Sequence, residues 1–263
     1  MAGAGAGAGT GAGGDLPTGE MSTEQQLFSA IDPEKELAEF TCLLAVYSSP
    51  HPWETITDTW SKDPLQGDTL LMRACRNKRL DIVRHLLSLK APAEIGALVN
   101  QSKPTNGEAP LYIAAECGHL EIVQALIAAG AAVDQACIDG TTPLFIASAN
   151  GHTAIVKALI AKGAAMNQAR TSDGATPLFI AAQKGHLDIV QALIAADAAV
   201  DQACTDDGAT PLFIASENGH TAIVKALIAA GAGAAVDKAR TSDGATPLFI
   251  ASQNGHLEVV NAL

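Results

Sequence analysis

Aromatic side chains make up only 4% of this 263-residue chain, although hydrophobic residues reach 48%. Ala, Leu, Ile and Val therefore supply most of the apolar surface, and such small aliphatic cores suit thin, close-packed helices better than a bulky globule. Basic residues are scarce as well, 16 against 28 acids, for a formal net charge of −12. A surface of that sign repels a nucleic-acid duplex or an anionic membrane on average, so nucleic acid is not an expected partner. The cysteines (Cys42, Cys75, Cys117, Cys137, Cys204) are odd in number and include no CxxC pair. They fit free thiols in a reducing compartment rather than a disulfide framework. No run approaches the roughly 20 apolar residues of a bilayer span. A basic n-region and a Leu-rich h-region are both missing from the start, which argues against a signal peptide. Ala at position 2 removes the myristoylation reading. The expectation is a soluble, cytoplasmic protein without membrane contact.

Along the chain, residues 1–14 alternate Gly and Ala with little to bury, and a flexible tail is expected over 1–23. Residues 24–67 read as a helical N-terminal capping segment. Leu27, Phe28 and Ile31, then Leu37, Phe40, Leu43 and Leu44, recur at helical spacing, and Asp32-Pro33-Glu34 is a helix start. Trp53–Trp60 is expected to add a short helical turn. Charge is uneven: residues 1–67 hold ten acids and two bases, and residues 68–104 hold three acids and seven bases.

Beyond residue 105 the sequence repeats itself. Pro110, Pro143, Pro177, Pro211 and Pro247 are spaced by 33, 34, 34 and 36 residues, and Gly-His follows each proline after eight residues. Thr before the proline can cap a helix, while Pro at the first helical position has no N–H to leave unpaired. Gly then permits the left-handed turn that ends the helix. A second helix carries apolar pairs one turn apart, such as Ile155-Val156 and Leu159-Ile160, and ends at Gly130, Gly163 or Gly231. Asp197 replaces that glycine once, a residue that tolerates the left-handed region better than most. Helices this short are marginal alone, so their apolar faces must meet the next pair in a one-dimensional stack.

The run Asp173-Gly174-Ala175-Thr176-Pro177-Leu178, followed by Ala181-Ala182, Gly185-His186, Ile189-Val190 and Leu193, resembles the ankyrin repeat closely. The resemblance covers about five repeats over 105–263, the last one truncated. A divergent repeat at 68–104 has Thr69-Leu70-Leu71 in place of Thr-Pro-Leu. It implies an all-α solenoid of stacked helix-turn-helix units joined by β-hairpin-like loops. The family's His after Thr-Pro-Leu is here Tyr112, Phe145, Phe179, Phe213 or Phe249, from which an aromatic ladder between repeats is expected. Residues 90–104 hold about seven extra residues, read as a protruding loop. A two-repeat period lies within the first, with hairpins alternating through Cys137, Arg170, Cys204 and Arg240. It is expected to set Lys157 and Lys225 beside acids such as Asp188.

Little in the sequence points to chemistry. Stacked helices lie roughly 8–10 Å apart, whereas zinc ligands converge at about 2.0–2.1 Å, so the Gly-His histidines are structural and no metal is expected. Cys137 and Cys204 are equivalent residues two repeats apart, too far for a disulfide. No catalytic set or phosphate loop stands out, and neither catalysis nor a cofactor is expected.

In the proteins resembled, partners lie on the concave face made by hairpin tips and first helices. Carried onto this sequence, that face offers Asp139, Asp173, Lys184, Asp206, Asp207, Glu217 and Asp243 to a partner protein, through a basic segment of it. Solvated residues serving no partner remain the plain alternative. Arg73, Arg76, Lys78, Arg79 and Arg84 form a rival basic patch for an acidic partner, or complement the acidic 24–63 segment. The resemblance also places Asn100 and Asn167 where ankyrin asparagines can be hydroxylated. The leading reading is a monomeric, non-catalytic adaptor or scaffold. Its rivals are a structural spacer, or the regulatory or substrate-targeting arm of a larger enzyme whose catalytic domain lies beyond residue 263.

Overall fold

A computed structural model describes residues 26, 29–32, 34–41, 68–89, 92–232 and 236–263. Trp53–Trp60, Leu27, Phe28, Leu43 and Leu44 lie outside them. Helices come in pairs: Leu70–Arg76 with Leu80–Ser88 (pair one), Pro110–Glu116 with Leu120–Ala128 (pair two), and Pro143–Ala149 with Thr153–Ala161 (pair three). Pro177–Lys184 with Leu187–Ala195 (pair four), Pro211–Glu217 with Thr221–Ala229 (pair five), and Pro247–Gln253 with Leu257–Val260 (pair six) follow. The first helix of each pair is termed inner and the second outer. Inner helices pack against the inner helices before and after, and outer helices do likewise. The all-α solenoid read from the repeats is what the chain forms.

Local chemistry sets each unit. Thr142, Thr176 and Thr210 each accept a hydrogen bond at Oγ1, 3.1 Å from the N–H three residues on, satisfying one orphan donor of the helix start. Thr69 does the same for Met72 at 3.2 Å, so pair one is capped without its proline. Ala109 caps its helix through no side chain. Asp197 adopts φ 63 where pairs two, three and five use Gly130, Gly163 and Gly231. Within the first five pairs the Ile-Val and Leu positions of the outer helix are buried, as at Ile155, Val156 and Leu159. One continuous core runs from Ala30 to Val259.

Each Gly-His histidine ties its pair to the one before. Nε2 of His152, His186, His220 and His256 lies 3.1, 3.2, 3.2 and 3.0 Å from the carbonyl oxygens of Glu116, Ala149, Gln183 and Glu217. These are among the last carbonyls of an inner helix, which lack partners within it. The histidines are structural links, as their isolation in sequence suggested.

The N-terminal residues seal pair one. Ala30, Ile31 and Phe40 are fully buried. The buried Arg79 guanidinium donates to the carbonyls of Asp32 at 2.7 Å and Ala30 at 3.4 Å, and Asn77 donates to that of Ile31 at 3.2 Å. Phe40 meets the ring of His85 edge-on at 6.5 Å.

Three expectations change. The extra residues at 90–104 hold a helix, Pro92–Asn100, in place of a protruding loop; Ile95, Leu98 and Val99 recur at helical spacing, and Val99 is fully buried. Lys157 and Lys225 are exposed and make no ion pair among the described residues, because the acids of neighbouring outer helices sit one turn away. The aromatic residues do not form a ring-on-ring ladder. Tyr112, Phe145, Phe179 and Phe213 are buried, but Phe145 and Phe213 are covered by arginines of the following hairpin.

Candidate protein-interaction groove

The loops between pairs fold back as tight hairpins, and backbone bonds stitch each tip to the next. The N–H groups of Ile138, Thr171, Thr205 and Thr241 donate to the carbonyls of Asn106, Asp139, Asp173 and Asp207 at 2.7–2.9 Å. Within a hairpin, Arg170 N–H donates to Ala175 and Cys204 N–H to Ala209. The row of tips and the inner helices bound one continuous face. Thr171, Ser172, Thr205, Asp206, Thr241 and Ser242 are exposed along it.

The hairpin aspartates have internal duties. Oδ1 of Asp139, Asp173, Asp207 and Asp243 accepts the N–H two residues on, at 2.9–3.1 Å, which fixes the turn. Asp173 also takes a two-pronged bond from Arg170, and Asp243 one from Arg240 at 3.1 and 2.6 Å. The Arg170 hydrogen bond holds the Asp173 carboxyl below its usual range. Arg240, and then the Ala245 N–H, bring Asp243 to about 2. Asp206 alone of these residues stands at the tip itself, bonded only to the N–H of Asp207 at 2.7 Å. Lys184 is exposed at the end of its inner helix, and Glu217 lies 3.7 Å from Arg240.

Arg170 and Arg240 were not singled out as site residues by sequence reasoning, yet they shape the floor. The Arg170 carbon Cζ lies 5.0 Å from the centre of the Phe145 ring, and that of Arg240 4.7 Å from Phe213, both within cation–π range. The signal in sequence was the alternation itself, Arg-x-x-Asp in two hairpins and Cys in the others.

Near the N-terminal end of the groove lies a charged cluster, also missed. Fully buried Asp68 is 2.6 Å from Lys103 Nζ and 3.2 Å from Arg76 Nε. Glu108 lies 3.1 Å from Lys103 and 3.5 Å from Arg76, and Glu116 3.6 Å from Arg76. Burial, then the neighbouring Glu108 charge, raises the Glu116 carboxyl. Lys103 was hidden because it reaches back some 35 positions to Asp68.

The proposed basic patch is dispersed. Arg76 faces the acidic cluster, Arg79 is directed into the protein towards the 30–32 carbonyls and Asp81, and Arg73 is half-buried; Lys78 and Arg84 are exposed. Asn100 and Asn167 each accept a backbone N–H from the next unit, at Ala132 and Ala199. Among the described residues one set of potential metal ligands converges, Cys204, Asp206 and Asp207, within 4.8 Å. Burial and the surrounding aspartates push the Cys204 thiol up to about 12, opposite to the deprotonation that metal binding needs.

The ankyrin-repeat family model matches three times, over residues 35–137, 123–204 and 197–263. The chain belongs to the ankyrin repeat family. Ankyrin repeats are protein-interaction modules, and only such repeats are found here. The chain is 33% identical over 72 residues to BRCA1-associated RING domain protein 1 of Caenorhabditis elegans, covering 27% of this chain and 9% of that protein. It is 39% identical over 72 residues to Protein fem-1 homolog CG6966 of Drosophila melanogaster, 27% of this chain and 11% of the other. Over 59 residues it is 39% identical to Protein fem-1 homolog C of Mus musculus, 22% and 9%. The ankyrin chain thus spans at most about a tenth of these relatives. No helix among the described residues is long and apolar enough to cross a membrane.

Proposed function

We propose that this ankyrin stack is a monomeric, non-catalytic adaptor or scaffold that holds a basic segment of another protein along its concave face. The observation that supports the reading most is the unbroken row of hairpin tips, bonded backbone to backbone, whose exposed side chains are mostly Thr, Ser and Asp, with Ile138 the apolar exception. A polar face of surplus negative charge favours a cationic partner through complementarity. Asp206 and Asp139 contribute charge directly, while Asp173, Asp243 and Glu217 work mainly through the arginines they face. The 24–67 segment is read as the N-terminal cap, a role supported by the bonds that Arg79 and Asn77 make to the carbonyls of residues 30–32.

The test is site-specific photo-crosslinking in the source cell. A photoreactive residue at Ser172 or Ser242, both on the hairpin face, should capture a discrete partner. The same group at Gln124 or Gln191, exposed on outer helices, should not. Capture from the outer helices alone would overturn the reading.

A second reading is the substrate-targeting or regulatory arm of a larger enzyme. The likeness of these repeats to part of a RING domain protein supports it. An endogenous polypeptide well above 26.8 kDa carrying these repeats would support it.

A further inference from the structure

The groove contains its own example of a bound guanidinium. Arg170 lies on the Phe145 ring with its two-pronged bond to Asp173, and Arg240 lies on the Phe213 ring with its bond to Asp243. The same positions one repeat on hold the same parts without the cation. The hairpin Cys204-Thr205-Asp206-Asp207-Gly208 has the length of Arg170-Thr171-Ser172-Asp173-Gly174. Asp207 accepts the Ala209 N–H at 2.9 Å as Asp173 accepts that of Ala175 at 3.1 Å, so the carboxylate stands in the matching place. The matching ring is Phe179. Where the arginine would begin, there is a thiol.

Three further observations distinguish this hairpin from those that hold an arginine. The Cys204 side chain is 7% exposed and makes no hydrogen bond among the described residues, with its sulfur within 4.8 Å of both the Asp206 and Asp207 carboxylates. Phe179 keeps 8% exposure, whereas Phe145 and Phe213, beneath their arginines, keep 3% and 1%. And Asp206 adds a carboxylate where the filled hairpins have Ser172 and Ser242. Two arginines border the site without filling it: Arg240 Nη1 lies 3.9 Å from Asp207, and the Arg170 charge is felt at the Cys204 thiol while its fork stays on Asp173. Two repeats earlier the pattern recurs around Cys137. Tyr112 keeps 8% exposure and bonds the Cys137 thiol, Asp139 stands beside it in a hairpin one residue shorter, and Glu108 and Glu116, already facing Lys103 and Arg76, complete the acidic surroundings.

We propose that the two cysteine hairpins are arginine-accepting niches, in which a partner's guanidinium lies on Phe179 or Tyr112 against the neighbouring carboxylates, as Arg170 and Arg240 do within the chain. This rests on the concave-face reading and names the chemistry it selects. Arginine is preferred to lysine because a planar guanidinium both stacks and bonds a carboxylate through two prongs. Stacked helices are roughly 8–10 Å apart, so niches two repeats apart lie about 16–20 Å from one another, a distance an extended strand covers in about five or six residues. The occupant is therefore an extended segment of a partner protein with two arginines separated by about that number.

The experiment uses the 263-residue protein and blocked twelve-residue peptides of Gly, Ser and Thr carrying two arginines, read by fluorescence anisotropy. Arginines six positions apart should bind best; those two positions apart should bind as weakly as a single arginine. Replacing either arginine by citrulline, which keeps the shape but not the charge, should weaken binding roughly tenfold. Cys204→Arg supplies an internal guanidinium and should weaken the best peptide by a similar factor, while Gln124→Arg, on an outer helix, leaves binding intact. Should Cys204→Arg fail to fold, Asp206→Asn on the exposed tip serves, with a smaller loss expected. Equal binding of the citrulline and arginine peptides, or of the Cys204→Arg and wild-type proteins, overturns the niches. If groove crosslinks persist in that case, the concave-face reading stands; crosslinks from the outer helices alone end both.

Discussion

The imidazole of His152 occupies the space a side chain on Gly118 would need: its Cε1 lies 2.7 Å from the position of a Cβ there. Gly151 and His186, Gly185 and His220, and Gly219 and His256 stand in the same relation at 2.7–2.9 Å. The glycine of each Gly-His therefore answers two demands, a positive φ in its own turn and room for the histidine of the next pair. Gly130 has a positive φ without a neighbour within 4 Å. Gly130→Ala should thus cost about 1 kcal/mol, from the backbone alone. Gly185→Ala should cost at least about 2 kcal/mol, because His220 must also move off the Gln183 carbonyl. Urea unfolding of the two variants checks this; equal losses would mean that the histidine contact is irrelevant.

Acid should weaken the last hairpin in a defined window. Asp243 titrates near 2 in the folded protein, because Arg240 and the Ala245 N–H bond its charged form. An unfolded aspartate titrates at about 3.9. A depressed folded value means the contribution is complete above about 4 and fades as pH falls towards 2. Melting temperatures of wild type and Asp243→Asn should differ by a constant amount from pH 7 to about pH 5, then converge. A gap unchanged at pH 2 would remove the Arg240 pairing as its source.

Arg79 should govern the N-terminal seal. Its guanidinium is buried and donates to Asp32 and Ala30 carbonyls. Arg79→Ala removes charge-assisted bonds worth about 2 kcal/mol together, and amide exchange over residues 29–41 should accelerate by about 30-fold. Arg79→Lys should not restore protection, since one ammonium cannot reproduce the fork. Exchange in pair five should stay unchanged, because stacked units sense only their neighbours.

Equivalent phenylalanines should differ in worth by position. Phe213 is 1% exposed beneath Arg240, whereas Phe249 is 58% exposed and Leu248 beside it 45%. Phe213→Ala should cost about 3–5 kcal/mol, and Phe249→Ala less than about 1 kcal/mol. Comparable losses in chemical denaturation would mean that residue 249 is covered in solution.

What could be read from the sequence was whatever depends on residues a few positions apart. The Thr caps, the Gly-His turns and the left-handed Asp197 are local, and each stands where the spacing placed it. Contacts between units were harder. The Arg170 fork to Asp173 spans three positions, yet the ring beneath it belongs to the previous pair, so the aromatic ladder was drawn where arginine lids lie. Lys103 and Asp68, or Arg79 and Ala30, meet over long separations without any periodic signal. The helix Pro92–Asn100 escaped because it belongs to no repeat and was judged by its excess length, although Ile95, Leu98 and Val99 carried its period.

The tip-to-tip bonds from Asn106 to Ile138, Asp139 to Thr171, Asp173 to Thr205 and Asp207 to Thr241 use main-chain atoms alone. The Thr171 and Thr241 hydroxyls reinforce two of them, donating to the Asp139 and Asp207 carbonyls at 2.7 and 2.6 Å, but the exposed neighbours Ser172, Asp206 and Ser242 take no part. Those neighbours can be rewritten one hairpin at a time while the ruler beneath them keeps its graduations, so specificity can drift without the scaffold having to be solved again.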